Sequence, residues 1–208
     1  MARVPAYAGI GGRQLPPDVQ ALLRRAAAFL AARGWMCRSG GAPGAAAACE
    51  AGAVEGLRAG APGGLTVYLP WPAFGRGQRA YLDLGTRGEG LRVAVLGEPR
   101  PAAFALAARH HPDWTRLALG DRARHARTVH LLLGPGLDAP AAFVLCWTAD
   151  GALSPRAAPA AAAPAGPDAT EGLGPALRLA AARGIPVLNV ARPDHRARVE
   201  RRLATAPP

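Results

Sequence analysis

Short apolar runs alternate along the chain with longer segments whose apolar positions recur every three to four residues, and glycine or proline separates most of them. Arg3 to Ile10 reads as a strand that runs into Gly9-Ile10-Gly11-Gly12-Arg13. Pro16-Pro17 then opens a helix to about Arg33, with Val19, Leu22, Leu23, Ala26, Phe29 and Leu30 at helical spacing and Gly34 as its stop. The pattern repeats: Trp35 to Arg38 is a second short strand, Ser39-Gly40-Gly41-Ala42-Pro43-Gly44 a second glycine turn, and Ala45 to Arg58 a second helix. Leu65 to Leu69 predicts a third strand ending in the aromatic loop Pro70-Trp71-Pro72-Ala73-Phe74, and Leu91 to Leu96 a fourth. Arg100 to Leu133 is helical in pattern, interrupted at His110-His111-Pro112-Asp113-Trp114, where Pro112 or Asp113 can start a new helix. Ala142 to Trp147 and Ile185 to Val190 are the last two strands, with helices at Leu173 to Arg183 and Pro193 to Leu203. The Ala/Pro-rich stretch from Ala149 to about Asp168 reads as an exposed mobile loop.

Strands alternating with helices at this spacing need parallel pairing through crossover connections. The expected fold is α/β, a doubly wound, mainly parallel sheet with helices on both faces, in one domain of 208 residues. Ligands of such sheets bind outside the carboxyl ends of the strands, which here carry Gly9 to Arg13, Ser39 to Gly44, Pro70 to Phe74, Trp147 to Gly151 and Asn189 to Arg192.

Composition changes this picture in three ways. Half the residues are hydrophobic, enough for a sizeable core, yet no apolar run approaches the roughly 18 residues of a membrane span. The N-terminus lacks the order of features of a secretion signal, so the chain reads as soluble and cytoplasmic. The net charge of +11 comes from 25 basic residues, all arginine. A GC-rich genome produces such a set by codon drift, so charge alone does not establish nucleic-acid binding, but guanidinium forks still favour phosphate-bearing partners. Cys37, Cys49 and Cys146 are odd in number, widely spaced and in apolar segments, which suits reduced buried thiols; neither a metal nor a cofactor is expected.

The chemistry lies in the two glycine turns. Each joins a strand to a helix N-terminus, where backbone N–H groups and the positive helix end stabilise a phosphate. Arg13 follows the first turn and can close on a phosphate as a bidentate donor, while Glu50 sits about two turns into the second helix, either as a site carboxylate or as a helix-surface one.

Tyr7-Ala8-Gly9-Ile10-Gly11-Gly12-Arg13, Arg38-Ser39-Gly40-Gly41-Ala42-Pro43-Gly44 with Glu50-Ala51-Gly52-Ala53, and Tyr68-Leu69-Pro70-Trp71 resemble the SLOG superfamily, the Rossmann-like proteins related to DNA-processing protein A and the LONELY GUY nucleotide hydrolases. The similarity is greatest to a compact, phage- or prophage-encoded branch. It extends to His111-Pro112-Asp113-Trp114, His125-Ala126-Arg127, Leu133-Gly134, Cys146-Trp147-Thr148 and Gly184 to Asn189. The resemblance implies a Rossmann-like fold and a phosphate-containing ligand, with Gly11, Gly12 and Arg13 on one side of the site and Ser39, Gly40, Gly41 and Gly44 on the other. It also brings in Gly172 and Gly174, at a turn that faces the phosphate in relatives, and it allows a homodimer. Four departures stand out: Ala46 replaces an aspartate, Thr128 follows Arg127 where the branch has asparagine, Glu171-Gly172-Leu173-Gly174 replaces a Gly-Gly-Thr-Gly turn, and the hydrolases' Pro-Gly-Gly-x-Gly-Thr motif with its glutamate is absent.

Other candidates carry less. Among His110, His111, His125 and His130, the pair His125 and His130 is spaced i,i+5, unlike a helical ligand pair, and His111 before Pro112 suits the ordering of a helix junction. Cys146 has no base beside it in sequence, and Asn189 suits either ligand orientation or loop bonding. The arginines at Arg109 to Arg127 and Arg192 to Arg202 can form a groove for a nucleic-acid backbone or a solvated face, with Trp71, Phe74 and Trp114 as the few stacking aromatics. The leading expectation is a protein that binds a nucleotide or the phosphates of single-stranded DNA without catalysis. A nucleoside 5′-monophosphate N-glycosidase using Arg13 with Glu50 or Glu171, and a degenerate interaction scaffold, are the alternatives.

Overall fold

The computed structural model describes residues 4–74, 90–95, 101–154 and 173–205. Twelve principal elements follow in chain order: β1 (Ala6–Gly11), α1 (Pro17–Ala32), β2 (Met36–Ser39), α2 (Ala45–Arg58), β3 (Gly64–Leu69), β4 (Leu91–Val95), α3 (Pro101–His110), α4 (Leu119–Leu133), β5 (Val144–Trp147), α5 (Gly174–Ala182), β6 (Val187–Asn189) and α6 (Pro193–Ala204). Among the described residues the strands form one sheet in the order β4-β3-β2-β1-β5-β6, every pair parallel. This is the doubly wound, Rossmann-like α/β architecture that the alternation predicts.

Each strand divides its side chains between two cores, as the pleat requires. Tyr7, Cys37, Leu65, Val67, Leu69 and Leu145 point to the face covered by α1, α2 and α6. Ala8, Ile10, Tyr68, Val144 and Cys146 point to the face covered by α3, α4 and α5. The first helix starts with Pro17 in its first turn and Asp18 beside it, and the chain turns away at Gly34 with φ 77°. Glycine also sets how closely α2 can approach α1: a Cβ on Gly52 would lie 2.0 Å from the Arg24 carbonyl oxygen, and one on Gly56 2.6 Å from the Ala31 Cβ. Arg24 and Glu55 bridge the same two helices from their exposed sides.

The helical stretch after β4 differs from expectation in one place. Asp113 precedes only a 3-10 turn, Trp114–Arg116, and the next α-helix starts at Leu119. His111 orders the junction by accepting a hydrogen bond from the Asp113 amide on Nδ1 at 3.1 Å, which holds the chain in a turn before helix can resume. The three thiols are buried, and burial pushes the Cys37 and Cys146 pKa values up to about 12. Among the described residues no helix is long and apolar enough to cross a membrane. The expected mobile loop falls from residue 155 onward outside the described residues, as do Glu171 and Gly172.

One consequence of packing is a pH dependence. His125 on α4 meets the His111 ring edge-on, with ring centroids 4.6 Å apart. Burial first, then repulsion from His111, Arg127 and Arg124, lowers its pKa to about 4. Below pH 6.5 the unfolded chain takes up a proton that the folded one refuses, so the His125 contribution to stability is complete above pH 6.5 and is lost as pH falls towards 4. We expect the melting temperature to drop between pH 7 and 5, and His125→Gln to flatten that interval; an unchanged slope in the variant contradicts the assignment.

Candidate functional site

With β2 on one side of β1 and β5 on the other, the chain leaves β1 toward one half of the sheet and later returns to build the other half. The crevice outside the carboxyl ends of β1 and β5 is therefore the topological switch point. The first glycine turn lies there. Gly12 donates its amide to the Trp147 carbonyl at the end of β5 (2.9 Å), and its own carbonyl accepts from the Ala45 amide (3.0 Å) at the start of α2. The two glycine turns are thus in direct contact. A Cβ on Gly44, which has φ 79°, would sit 2.1 Å from the Gly12 oxygen and 2.6 Å from the Arg13 Cα. Gly11 is equally constrained, with Ala45 and the Trp147 backbone where a side chain would project.

The second turn is braced from inside. Glu50 is 1% exposed, and its Oε1 accepts both the Ser39 hydroxyl (2.6 Å) and the Gly41 amide (2.9 Å). Ser39 is fully buried at the end of β2, and Gly41 takes φ 65° to pass over Leu69. Glu50 is therefore no helix-surface carboxylate. Helical periodicity turns it inward with Ala46, Cys49 and Ala53, directly beneath the turn.

Arg127 on α4 completes this arrangement. Its Nη1 donates to the Gly40 carbonyl at 2.7 Å, its guanidinium lies 5.2 Å from the centre of the Phe74 ring, and its Nε is buried without a hydrogen-bond partner. Burial lowers the Arg127 pKa to about 10, with the Glu50 carboxylate opposing that shift and Arg124 and Arg13 adding to it by repulsion. It stays charged at neutral pH. Phe74 in turn meets Trp71 edge to face at 5.1 Å, so the aromatic loop after β3 walls this side of the site.

Gly11, Gly12, Arg13 and Gly44 therefore form one cluster, and Ser39, Gly40, Gly41 and Glu50 adjoin it. Three of the amides expected to face a ligand, those of Gly12, Gly41 and Ala45, are bonded within the protein. The first turn of α2 still has the amides of Ala46 and Ala47, which helix geometry leaves without an intrahelical acceptor. Arg13 is exposed, with its backbone against Gly44. Gly174 opens α5 and is buried, while the adjoining Pro175 and Ala176 face His110, His125 and Thr128.

Asn189 is spent on the loops. Its side-chain oxygen accepts from the Thr148 and Ala191 amides, and its nitrogen donates to the Thr148 hydroxyl (2.7 Å) and the Ala152 carbonyl (2.9 Å). Trp114 packs edge to face on Phe104, beside the Arg122 guanidinium, and not on the aromatic loop. Arg127 is the residue that motif reading undervalued. Its signal was available, because at helical spacing it lines up with the buried His130 and Leu131, where an arginine needs a specific partner.

No family model and no curated protein matches the chain. Among solved structures, the X-ray structure of DNA processing protein A from Streptococcus pneumoniae is similar, with a TM-score of 0.41 and 12% identity over 89% of this chain and 58% of that one. The chain thus corresponds to little more than half the length of that protein.

Proposed function

We propose that the chain is a SLOG-type protein of the compact, phage- or prophage-type branch. Its switch-point crevice holds a phosphate-bearing ligand, a nucleotide or the backbone of single-stranded DNA, without turning it over. The observation that carries this reading is the meeting of the two glycine turns at the N-terminus of α2, with Arg13 against Gly44 and Arg127 bonded to the Gly40 carbonyl. An anion seated there accepts the Ala46 and Ala47 amides of the first turn of α2, with the permanently charged Arg13 and Arg127 side chains as further donors. Gly11, Gly12, Gly40, Gly41 and Gly44 shape the backbone so that both turns meet there, and Ser39 with Glu50 fixes the second turn from below. Trp71, 37% exposed beside Phe74, offers an aromatic edge to a base. The reading assigns Glu50 a positioning role; catalysis by Glu50 and Arg13 would instead appear as release of free base from nucleoside 5′-monophosphates.

Calorimetric titration with a nucleoside 5′-monophosphate and with oligothymidylates of increasing length tests the reading. Arg13→Ala, which removes an exposed side chain, is expected to weaken binding at least about tenfold, the scale of one charge-assisted hydrogen bond. A free nucleotide as ligand predicts affinity that changes little with oligonucleotide length. A strand as ligand predicts affinity that rises with length and falls steeply with salt. Absence of saturable binding by either, or binding indifferent to Arg13→Ala, contradicts the proposal and leaves the interaction-scaffold alternative.

A further inference from the structure

The sheet edge opposite the glycine turns carries a second feature. α1 and α6 lie side by side on one face, and their first turns are joined by Arg196 Nη1 and Asp18 Oδ2 at 2.8 Å. Between their C-terminal halves the sheet is left uncovered, and a cavity of about 500 Å³ opens there. Phe29 and Leu30 of α1, Trp35 before β2, Phe143 and Leu188 on the sheet, and Val199 of α6 give it aromatic and aliphatic walls. Its size falls within the range of pockets that enclose small molecules, about 300–1,000 Å³.

Its polar residues are of one kind. Arg33, Arg198 and Arg202, all exposed, line it, and among the described residues no acidic side chain does. The other arginines near the start of α6 meet carboxylates: Arg192 lies 3.3 Å from Asp194, and Arg196 bonds Asp18 and Glu200. Arg198 and Arg202, four residues apart and so on one face of the helix, have no ion pair among the described residues. Arg33 lies over the Phe29 ring at 3.6 Å, which covers the apolar wall with a cation at its outer end.

We propose that this cavity binds a small amphiphilic anion, with an aromatic or medium-chain aliphatic body against Phe29, Trp35 and Phe143 and a carboxylate-like head at Arg198 and Arg202. An apolar recess closed by three arginines that have no ion pair among the described residues matches that chemistry on both counts, whereas a neutral or cationic amphiphile offers the arginines no counter-charge. The concavity also favours a small ligand over a second copy of the chain, since a stable dimer needs a broad surface of about 800 Å² per partner. The site is separate from the nucleotide crevice and stands or falls without it.

Calorimetry on the full chain with sodium decanoate, and with decyltrimethylammonium as the cationic counterpart, tests the proposal. One decanoate is expected to bind per chain, with the cation at least tenfold weaker. The double variant Arg198→Ala/Arg202→Ala is expected to lose at least tenfold in decanoate affinity. The control Arg109→Ala/Arg201→Ala removes the same charge from exposed positions outside the cavity and is expected to stay within twofold of the parent. Leu188→Trp fills the recess and should abolish binding; should that variant misfold, the arginine pair still decides. No saturable decanoate binding, equal losses in the two double variants, or equal binding of the cation overturns the proposal. So does a concentration-dependent dimer that excludes decanoate, which would make the recess an interface between copies.

Discussion

Replacing Gly44 with alanine is expected to destabilise the protein by about 3–5 kcal/mol, measured as a shift in the urea midpoint at constant slope. Two costs combine. At φ 79° and ψ −127° the backbone is in a region that L-residues avoid, at about 1–3 kcal/mol. The added methyl would also lie 2.1 Å from the Gly12 carbonyl oxygen, which already accepts the Ala45 amide, so the two turns must move apart. Gly60 provides the matched control: it has φ 77° with nothing within 4 Å, so Gly60→Ala carries the conformational cost alone, about 1 kcal/mol. A Gly44→Ala variant no less stable than Gly60→Ala would mean that contact between the turns is not a constraint. The expected difference also predicts that Gly44→Ala loses ligand affinity, since the crevice exists only while the turns touch.

Glu50→Ala is the second large expectation, at about 3–5 kcal/mol. The substitution strands the Ser39 hydroxyl and the Gly41 amide, both buried, and removes a carboxylate whose charge favours the charged form of Arg127. Glu50→Gln keeps an acceptor for both donors but not the charge, so it should fall between the parent and the alanine variant. Pairing Glu50→Ala with Arg127→Met separates the two parts. A coupling energy of about 1 kcal/mol or more identifies the electrostatic contribution, and simple additivity leaves only the hydrogen bonds. A Glu50→Ala variant within about 0.5 kcal/mol of the parent, the range of ordinary surface substitutions, would contradict the role described.

The parallel sheet was legible because periodicity reports burial directly. Val19, Leu22 and Leu23 bury one stripe of α1, and α2 begins and ends where its glycine turn and Arg58 put it. Strand ends were less so: β1 runs Ala6–Gly11 where Arg3 to Ile10 was read, because Gly11 pairs with Trp147, a partner that local pattern does not reveal. The restart of helix at Leu119 had a local cause: the His111 ring accepts the amide of Asp113 two residues on and holds a turn where Asp113 alone suggests a cap.

Within the site, the glycines carried their meaning in sequence, because positive φ at Gly41 and Gly44 is a local requirement. The direction of their amides was not local. Whether the Gly41 N–H meets solvent or a carboxylate depends on Glu50 nine residues later, and on α2 folding back beneath β2. Arg127 lies 87 residues from its Gly40 partner, so only the assembled sheet joins them. Composition spreads the positive charge over 25 arginines, and nothing in the order of residues singles out Arg127, whose Gly40 contact exists only in the folded chain.

A crystal structure of the protein soaked with a nucleoside 5′-monophosphate decides whether the switch-point crevice takes a phosphate. Phosphate density is expected at the first turn of α2, within hydrogen-bond reach of both the Arg13 and Arg127 guanidinium groups and over the junction of Gly12 with Gly44. Density found only elsewhere on the arginine-rich surface, with Arg13 and Arg127 unchanged and the crevice holding nothing but solvent, would contradict the proposal.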